Sequence, residues 1–160
     1  MRLDLPLPRS WAVVERGART VVEILPGVLL AFGALERLPR DLGDWGDRVV
    51  LAGVRPETYR PLVVEDTATA GGWPLTLVSS EVVRAGTVVE HRLHALYHFL
   101  EWGGVAVLTG TAGERFAAAA DEARPVLLEG RPDFRTDEVL TVAELWDGLA
   151  PTPGPAPRSR

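Results

Sequence analysis

The chain contains no cysteine, which removes disulfides, thiolate nucleophiles and cysteine-held zinc or iron–sulfur centres together. Lysine, asparagine and glutamine are also missing, so all 17 cationic side chains are arginine, a bias expected of a GC-rich coding sequence. No basic run occurs and the net charge is -5. Affinity for phosphate backbones comes from clustered cations that release counterions, so a nucleic-acid partner is not expected. Long apolar runs are lacking too. The most apolar window, residues 21–35, falls short of the roughly 20 residues of a membrane helix and is interrupted by Glu23 and Pro26. Membrane insertion is therefore not expected. The opening MRLDLPLPRS has neither a charged segment ahead of an apolar run nor a small-residue cleavage site, so the expected location is cytoplasmic.

What remains is 160 residues, 46% of them hydrophobic, enough for one domain that buries roughly 70% of its unfolded surface. Residues 3–7, 11–15, 20–25 and 28–38 are aliphatic or β-branched runs separated by Pro, Gly and Arg-rich breaks, as in an antiparallel meander. Residues 39–52 place Leu42, Trp45, Val49 and Ala52 at helical spacing in an acidic setting, which predicts an amphipathic helix. Strand composition returns at 62–70, 73–83 and 87–102, with hairpin breaks at Gly71-Gly72, Ala85-Gly86 and Gly103-Gly104. After a short strand at 105–109, Thr111 and Glu114 have capping-box spacing. The helix they open carries Phe116, Ala119, Ala120, Ala123 and Leu127 on one face, with a kink expected at Pro125 and a stop at Gly130 and Pro132. A second box, Thr141 to Glu144, opens a short helix with Leu145, Trp146 and Leu149. The expected organisation is one α+β domain over 1–135, a helical extension over 136–150, and a disordered Pro-rich tail over 151–160.

This order of elements, with the opening L-P-x-P-x-S-Trp11 and the ending at Trp102, Gly103-Gly104, V-A-V-L-T-G-T-A, Phe116 and Phe134-Arg135, resembles the PsbP/Mog-like fold, a group that includes the DcrB-like bacterial proteins. The resemblance covers about residues 2–135 and implies an antiparallel sheet with flanking helices, an α/β/α sandwich. It also implies no shared active site, because members act mostly as binding modules: a regulator of a nuclear GTPase, extrinsic photosystem subunits, lipoproteins and secretion chaperones. Such an analogy is associational.

The residues themselves hold little chemistry. His94 and His98 stand four apart on a strand, about 13 Å at roughly 3.3 Å per residue, too far for one metal ion, and His91 falls on the opposite face. Glu36, Asp41, Asp44, Asp47 and Glu57 include an i, i+3, i+6 series that reads as the solvated face of a helix. Ser79, Ser80, Thr109 and Thr111 lack a nucleophile elbow, and the glycine pairs lack the spacing and the lysine of a phosphate loop. No catalytic residue, metal or cofactor is expected.

The tryptophans are the better candidates. Trp11 and Trp45 follow apolar patterns and read as core. Trp73 and Trp102 stand at strand ends, where aromatics serve as binding anchors, and with Tyr97 and Arg84 they define a candidate partner surface. Leu145, Trp146 and Leu149 form a second one, which either docks on the domain's own sheet or is received by a partner. The expected function is non-catalytic binding of another protein, as an adaptor or chaperone associated with secretion. The alternatives are a small-molecule-binding protein or enzyme with a pocket between sheet and helix, and a structural subunit of a homo-oligomer such as a homodimer.

Overall fold

A computed structural model describes residues 1–135 and 142–146. Leu149, the Thr141 capping position and the tail lie outside the described residues. The chain forms an eight-stranded antiparallel sheet covered by helices on both faces. Its strands are β2 (Ala12–Glu15), β3 (Arg19–Leu25), β4 (Val28–Gly33), β5 (Glu36–Arg37), β6 (Tyr59–Ala68), β7 (Pro74–Arg84), β8 (Thr87–Phe99) and β9 (Trp102–Gly110). The order across the sheet is β2-β3-β4-β9-β8-β7-β6, with β5 added alongside β9. The first strand, β1 (Arg2–Asp4), does not belong to the meander expected for it. It pairs with β10 (Arg131–Asp133) in a separate two-stranded sheet, which ties the N-terminus to the segment after the long helix.

Both faces of the central strands are buried. Every residue of β4 is buried, as is β9 from Gly103 onward. One face, carrying Val22, Leu30, Leu77, Ala95, Tyr97 and Leu108, is covered by α2 (Gly113–Leu128) through Ala119, Ala123, Val126 and Leu127. The other, carrying Val21, Ala31, Val78, Leu96, Val105 and Val107, is covered by α1 (Leu42–Leu51) through Trp45 and Val49 and by α3 (Val142–Trp146) through Val142 and Leu145. Asp41 caps α1 by accepting from the Asp44 amide at 3.0 Å. Leu42, expected on its apolar face, is exposed. The Tyr97 hydroxyl donates to the Leu127 carbonyl at 2.6 Å, pinning the end of α2 to the sheet. Beside it, any side chain at Gly130 would come within 2.6 Å of the Tyr97 ring.

Two sequence signals were misplaced. The β8–β9 turn is made by Leu100 and Glu101, with Leu100 at φ +64, and not by Gly103-Gly104. Both glycines lie inside β9 because the space beside them is taken: a Cβ on Gly103 would sit 2.6 Å from Leu38 Cδ2 and from the Trp45 ring, and one on Gly104 3.1 Å from Phe99. Gly103 thereby admits Trp45, the largest aromatic of α1, to the sheet. The Thr111 box does not form either, since the N-cap of α2 is Ala112, with no side-chain hydrogen bond. Ala85-Gly86 does make a hairpin turn, with positive φ at both residues as a type I′ turn requires. Pro125 sits inside α2 on its exposed side, where the carbonyl it leaves unpaired can be solvated.

Two expected outcomes follow for urea denaturation. Gly103→Ala forces Trp45 or Leu38 to move and should lower stability by about 1–3 kcal/mol, the usual cost of overpacking. Tyr97→Phe removes the phenol donor from the Leu127 carbonyl, which keeps the Gly130 amide at 3.1 Å, and should cost about 1 kcal/mol.

Candidate functional site

The sequence candidates do not converge. Trp73 and Trp102 share one end of the sheet: Trp73 meets Phe99 edge-on at 5.4 Å between centroids, and Phe99 is the cross-strand partner of Trp102. Both indoles are half-buried against the core, and the Arg37 guanidinium lies 5.7 Å from the centre of the Trp102 ring. Tyr97 is fully buried and cannot belong to an accessible rim. Burial also pushes its phenol far above its ordinary pKa, so it acts as a hydrogen-bond donor and nothing more. Arg84 closes the opposite end of β7, roughly 35 Å from Trp73 at about 3.3 Å per residue. No common surface unites the four.

Leu145 is buried, so it serves the core. Trp146, half-buried, is seated on the chain's own sheet. Its ring lies 4.1 Å from the Arg92 guanidinium carbon and 6.0 Å from the centre of the His94 ring. A side chain on Gly53, which has φ +74, would come within 3.3 Å of the indole. Of the two dispositions left open for this helix, the structure shows docking on the domain itself.

Beneath Trp146 is a polar cluster that sequence patterning did not reveal. Cross-strand register places Ser80, Arg92 and Thr109 in one row and Val78, His94 and Val107 in the next. Arg92 is only 4% exposed. It donates through Nε to Glu90 and through a terminal nitrogen to the Ala52 carbonyl at 3.2 Å. His94 is completely buried, and neither of its ring nitrogens has a hydrogen-bond partner among the described residues; the same holds for Thr109 Oγ1 and Trp146 Nε1. Burial, aided by Arg92, holds the His94 pKa down at about 3, so this imidazole is neutral at ordinary pH. Tyr59, at the start of β6, lies close to Ser80 and Arg92, and burial raises its pKa. The signal for this cluster was the polar pair Arg92 and His94 two apart in a strand, which puts both on one face; whether that face was covered depended on distant chain.

The other candidates have structural roles. His98 packs against Trp45 at 5.6 Å and His91 stacks on Phe116 of α2 at 5.5 Å. Glu36 accepts from the Trp45 indole and from Arg48, thereby orienting α1. Asp41, Asp44 and Asp47 are exposed. Among the described residues no group of three or more His, Asp or Glu is placed to hold a metal ion, and no helix is long and apolar enough to cross a membrane.

The feature most open to a partner is the edge strand β6. Among the described residues it pairs only with β7, and Leu62, Val63 and Val64 are 52%, 60% and 63% exposed. Register turns Val63 toward the α2 side, opposite Ser79, and Val64 toward the α1 side, opposite Val78. On the α2 side a cavity of about 150 Å³ is lined by Val63, Glu65, Ser79, Ala120 and Arg124, with Glu65 held bidentately by Arg124 at 2.9 and 2.6 Å.

No family model and no curated protein matches the chain. Among solved structures it is similar to the cyanobacterial PsbP (CyanoP) of Synechocystis sp. PCC 6803, with a TM-score of 0.56 and 13% identity over 82% of this chain and 86% of that one. LpqN, involved in cell envelope biogenesis of Mycobacterium tuberculosis, gives a TM-score of 0.47 and 12% identity over 80% and 81%. The strand order, the two covered faces and the superposition on CyanoP make this a PsbP-like α+β fold.

Proposed function

We propose that the protein is a non-catalytic binding module that receives an extended segment of another protein along β6. The observation that carries this reading is the run Leu62-Val63-Val64, exposed on both faces of a ten-residue edge strand. Soluble proteins usually guard such edges with charge, proline, bulges or shortness. Here Pro61 and the register shift between Pro61 and Val63 blunt the first half of β6, and the stretch from Val63 onward keeps its outer backbone groups available. The opposite edge, β2, has only four residues. Strand addition draws affinity from main-chain hydrogen bonds and specificity from alternate side chains. Val63 and Val64 supply apolar contacts on the two faces, and Glu65 and Asp66 follow them.

The rival reading, a small-molecule-binding protein or enzyme with a pocket between sheet and helix, has less support. The cavity beside β6, about 150 Å³, is smaller than the roughly 300–1,000 Å³ of ordinary ligand sites. Its hydroxyl, Ser79, has no histidine among the residues lining it. An accessory role in the cell interior, associated with secretion, is the setting proposed from the resemblance of the fold.

The test compares wild type, Val64→Glu and Arg84→Ala as baits in lysate of the source organism, with each bait's oligomeric state measured by light scattering. Both substitutions lie on the surface and should change stability by no more than about 0.5 kcal/mol. A specific protein retained by wild type and Arg84→Ala but reduced about tenfold or more by Val64→Glu supports the reading. Equal retention by all three removes β6 as the contact. A dimer abolished by Val64→Glu would make the added strand that of a second copy.

A further inference from the structure

We propose that α3 is a proton-released latch: Trp146 closes over Arg92 and His94 on the sheet, and acidification frees the helix from that seat. The geometry shows both what holds the latch and why it is weakly held. Among the described residues α3 is held by burial of Val142 and Leu145, by the Trp146 ring over Arg92, and by Arg19, which donates to the Leu145 and Glu144 carbonyls at 2.8 and 3.5 Å. The five described residues of α3 are too few to be helical by themselves, so docking on the sheet is what holds their conformation. Against these contacts stand three buried nitrogens without hydrogen-bond partners among the described residues, both of His94 and the one of Trp146. Each is disfavoured in the closed state and would be hydrated in the open one. Segments with few buried contacts and unpaired polar atoms are those that open locally, below the threshold for global unfolding.

His94 makes this opening sensitive to protons. Around it, β7 and β9 present Val78 and Val107, and α3 presents the Trp146 ring. The charged and titratable groups nearby are Arg92 with its partner Glu90 on β8, Tyr59 on β6, Asp47 on α1, and Arg19 of β3 and Glu144 at the rim of α3. Among the described residues Arg92 is the charge that acts on His94, and it repels a second positive charge. Closed, His94 is held neutral down to about pH 3; open, it regains its ordinary value near 6.5. A depressed pKa in the closed state means that closure is fully favoured above pH 6.5. That preference is lost progressively, tenfold per unit, as pH falls from 6.5 toward 3. Opening uncovers the apolar strip of Val21, Ala31, Val105 and Val107 together with the polar row of Arg92 and Thr109.

Hydrogen exchange on the full chain at about pH 7.5 and pH 5 tests this, with wild type beside His94→Leu, an apolar side chain of similar size that cannot titrate. Peptides covering Val142–Trp146 should be less protected than those of β9 at both pH values. Their protection should fall about thirtyfold on acidification in wild type, and His94→Leu should abolish most of the fall. Equal protection of α3 and β9 at both pH values would mean that the helix leaves only when the sheet unfolds, which overturns the latch. So would the absence of an acid response in wild type, and both of these outcomes read out in wild type even if the variant folds poorly; an undiminished acid response in a folded His94→Leu overturns the latch as well. None depends on whether β6 binds a partner.

Discussion

The whole architecture depends on a sheet whose centre is buried on both faces. Strands β4 and β9 have no solvated side, and their sequences, VLLAFG and WGGVAVLTG, are accordingly apolar without alternation. Burying one face only would leave about half of that surface in water, at roughly 25 cal/mol per Å², so helices on both sides are obligatory. The two coverings differ. Helix α2 is long and brings alanines, which allow close approach along its length. On the other side the cover is assembled from two short pieces, α1 and α3, with Trp45 and Trp146 supplying bulk where helix length is lacking. Gly103 and Gly53 are what give those two rings room.

Electrostatics follow from an all-arginine cation set. Ion pairs such as Arg37 with Glu101 and Arg131 with Asp4 join exposed partners and contribute little. Arg92 is different, because it is buried beside Glu90 and under an indole. A buried pair of this kind gains little net stability relative to an apolar replacement, yet removing one partner is costly. Arginine suits the position, since its weakly hydrated planar group stacks on an aromatic face while its edges still donate. The like charge it places near His94 reinforces the effect of burial, so one side chain both seats Trp146 and keeps the neighbouring imidazole neutral.

Local signals were legible in the sequence and non-local ones were not. The β7–β8 hairpin could be read from two β-rich runs around Ala85-Gly86, because turn chemistry and strand propensity act within a few residues. Helix α1 could be read from the spacing of Leu42, Trp45, Val49 and Ala52, though Asp41, read as part of its solvated face, turned out to be its cap. Gly103-Gly104 deceived because glycine serves both at turns and at close contacts, and the contact in question, with Trp45, spans the fold. The same limit applies to function. His94 was correctly placed on a strand, but its burial required α3 to return across the sheet. Tyr97 looked like a rim aromatic until α2 covered it. Leu62, Val63 and Val64 belonged to a run read only as strand, and it is the strand order that makes β6 an edge.

The proposed latch and the proposed strand-addition edge share a neighbourhood. Tyr59 is the first residue of β6, and its phenol lies among Ser80 and Arg92, within the apolar cluster that α1 and α3 complete. A shift of Arg92 when Trp146 leaves therefore acts on the residue from which β6 departs. The bulge between Pro61 and Val63 separates that anchored start from the exposed half of the strand, so the anchor can change while the register of Val63 to Ala68 on β7 is kept. Coupling of this kind needs no long pathway, because Arg92, Ser80 and Tyr59 lie on the adjacent strands β8, β7 and β6. Release of α3 would then change the footing of β6 without breaking its ladder, which makes acid-dependent partner affinity the physical consequence of the two proposals taken together.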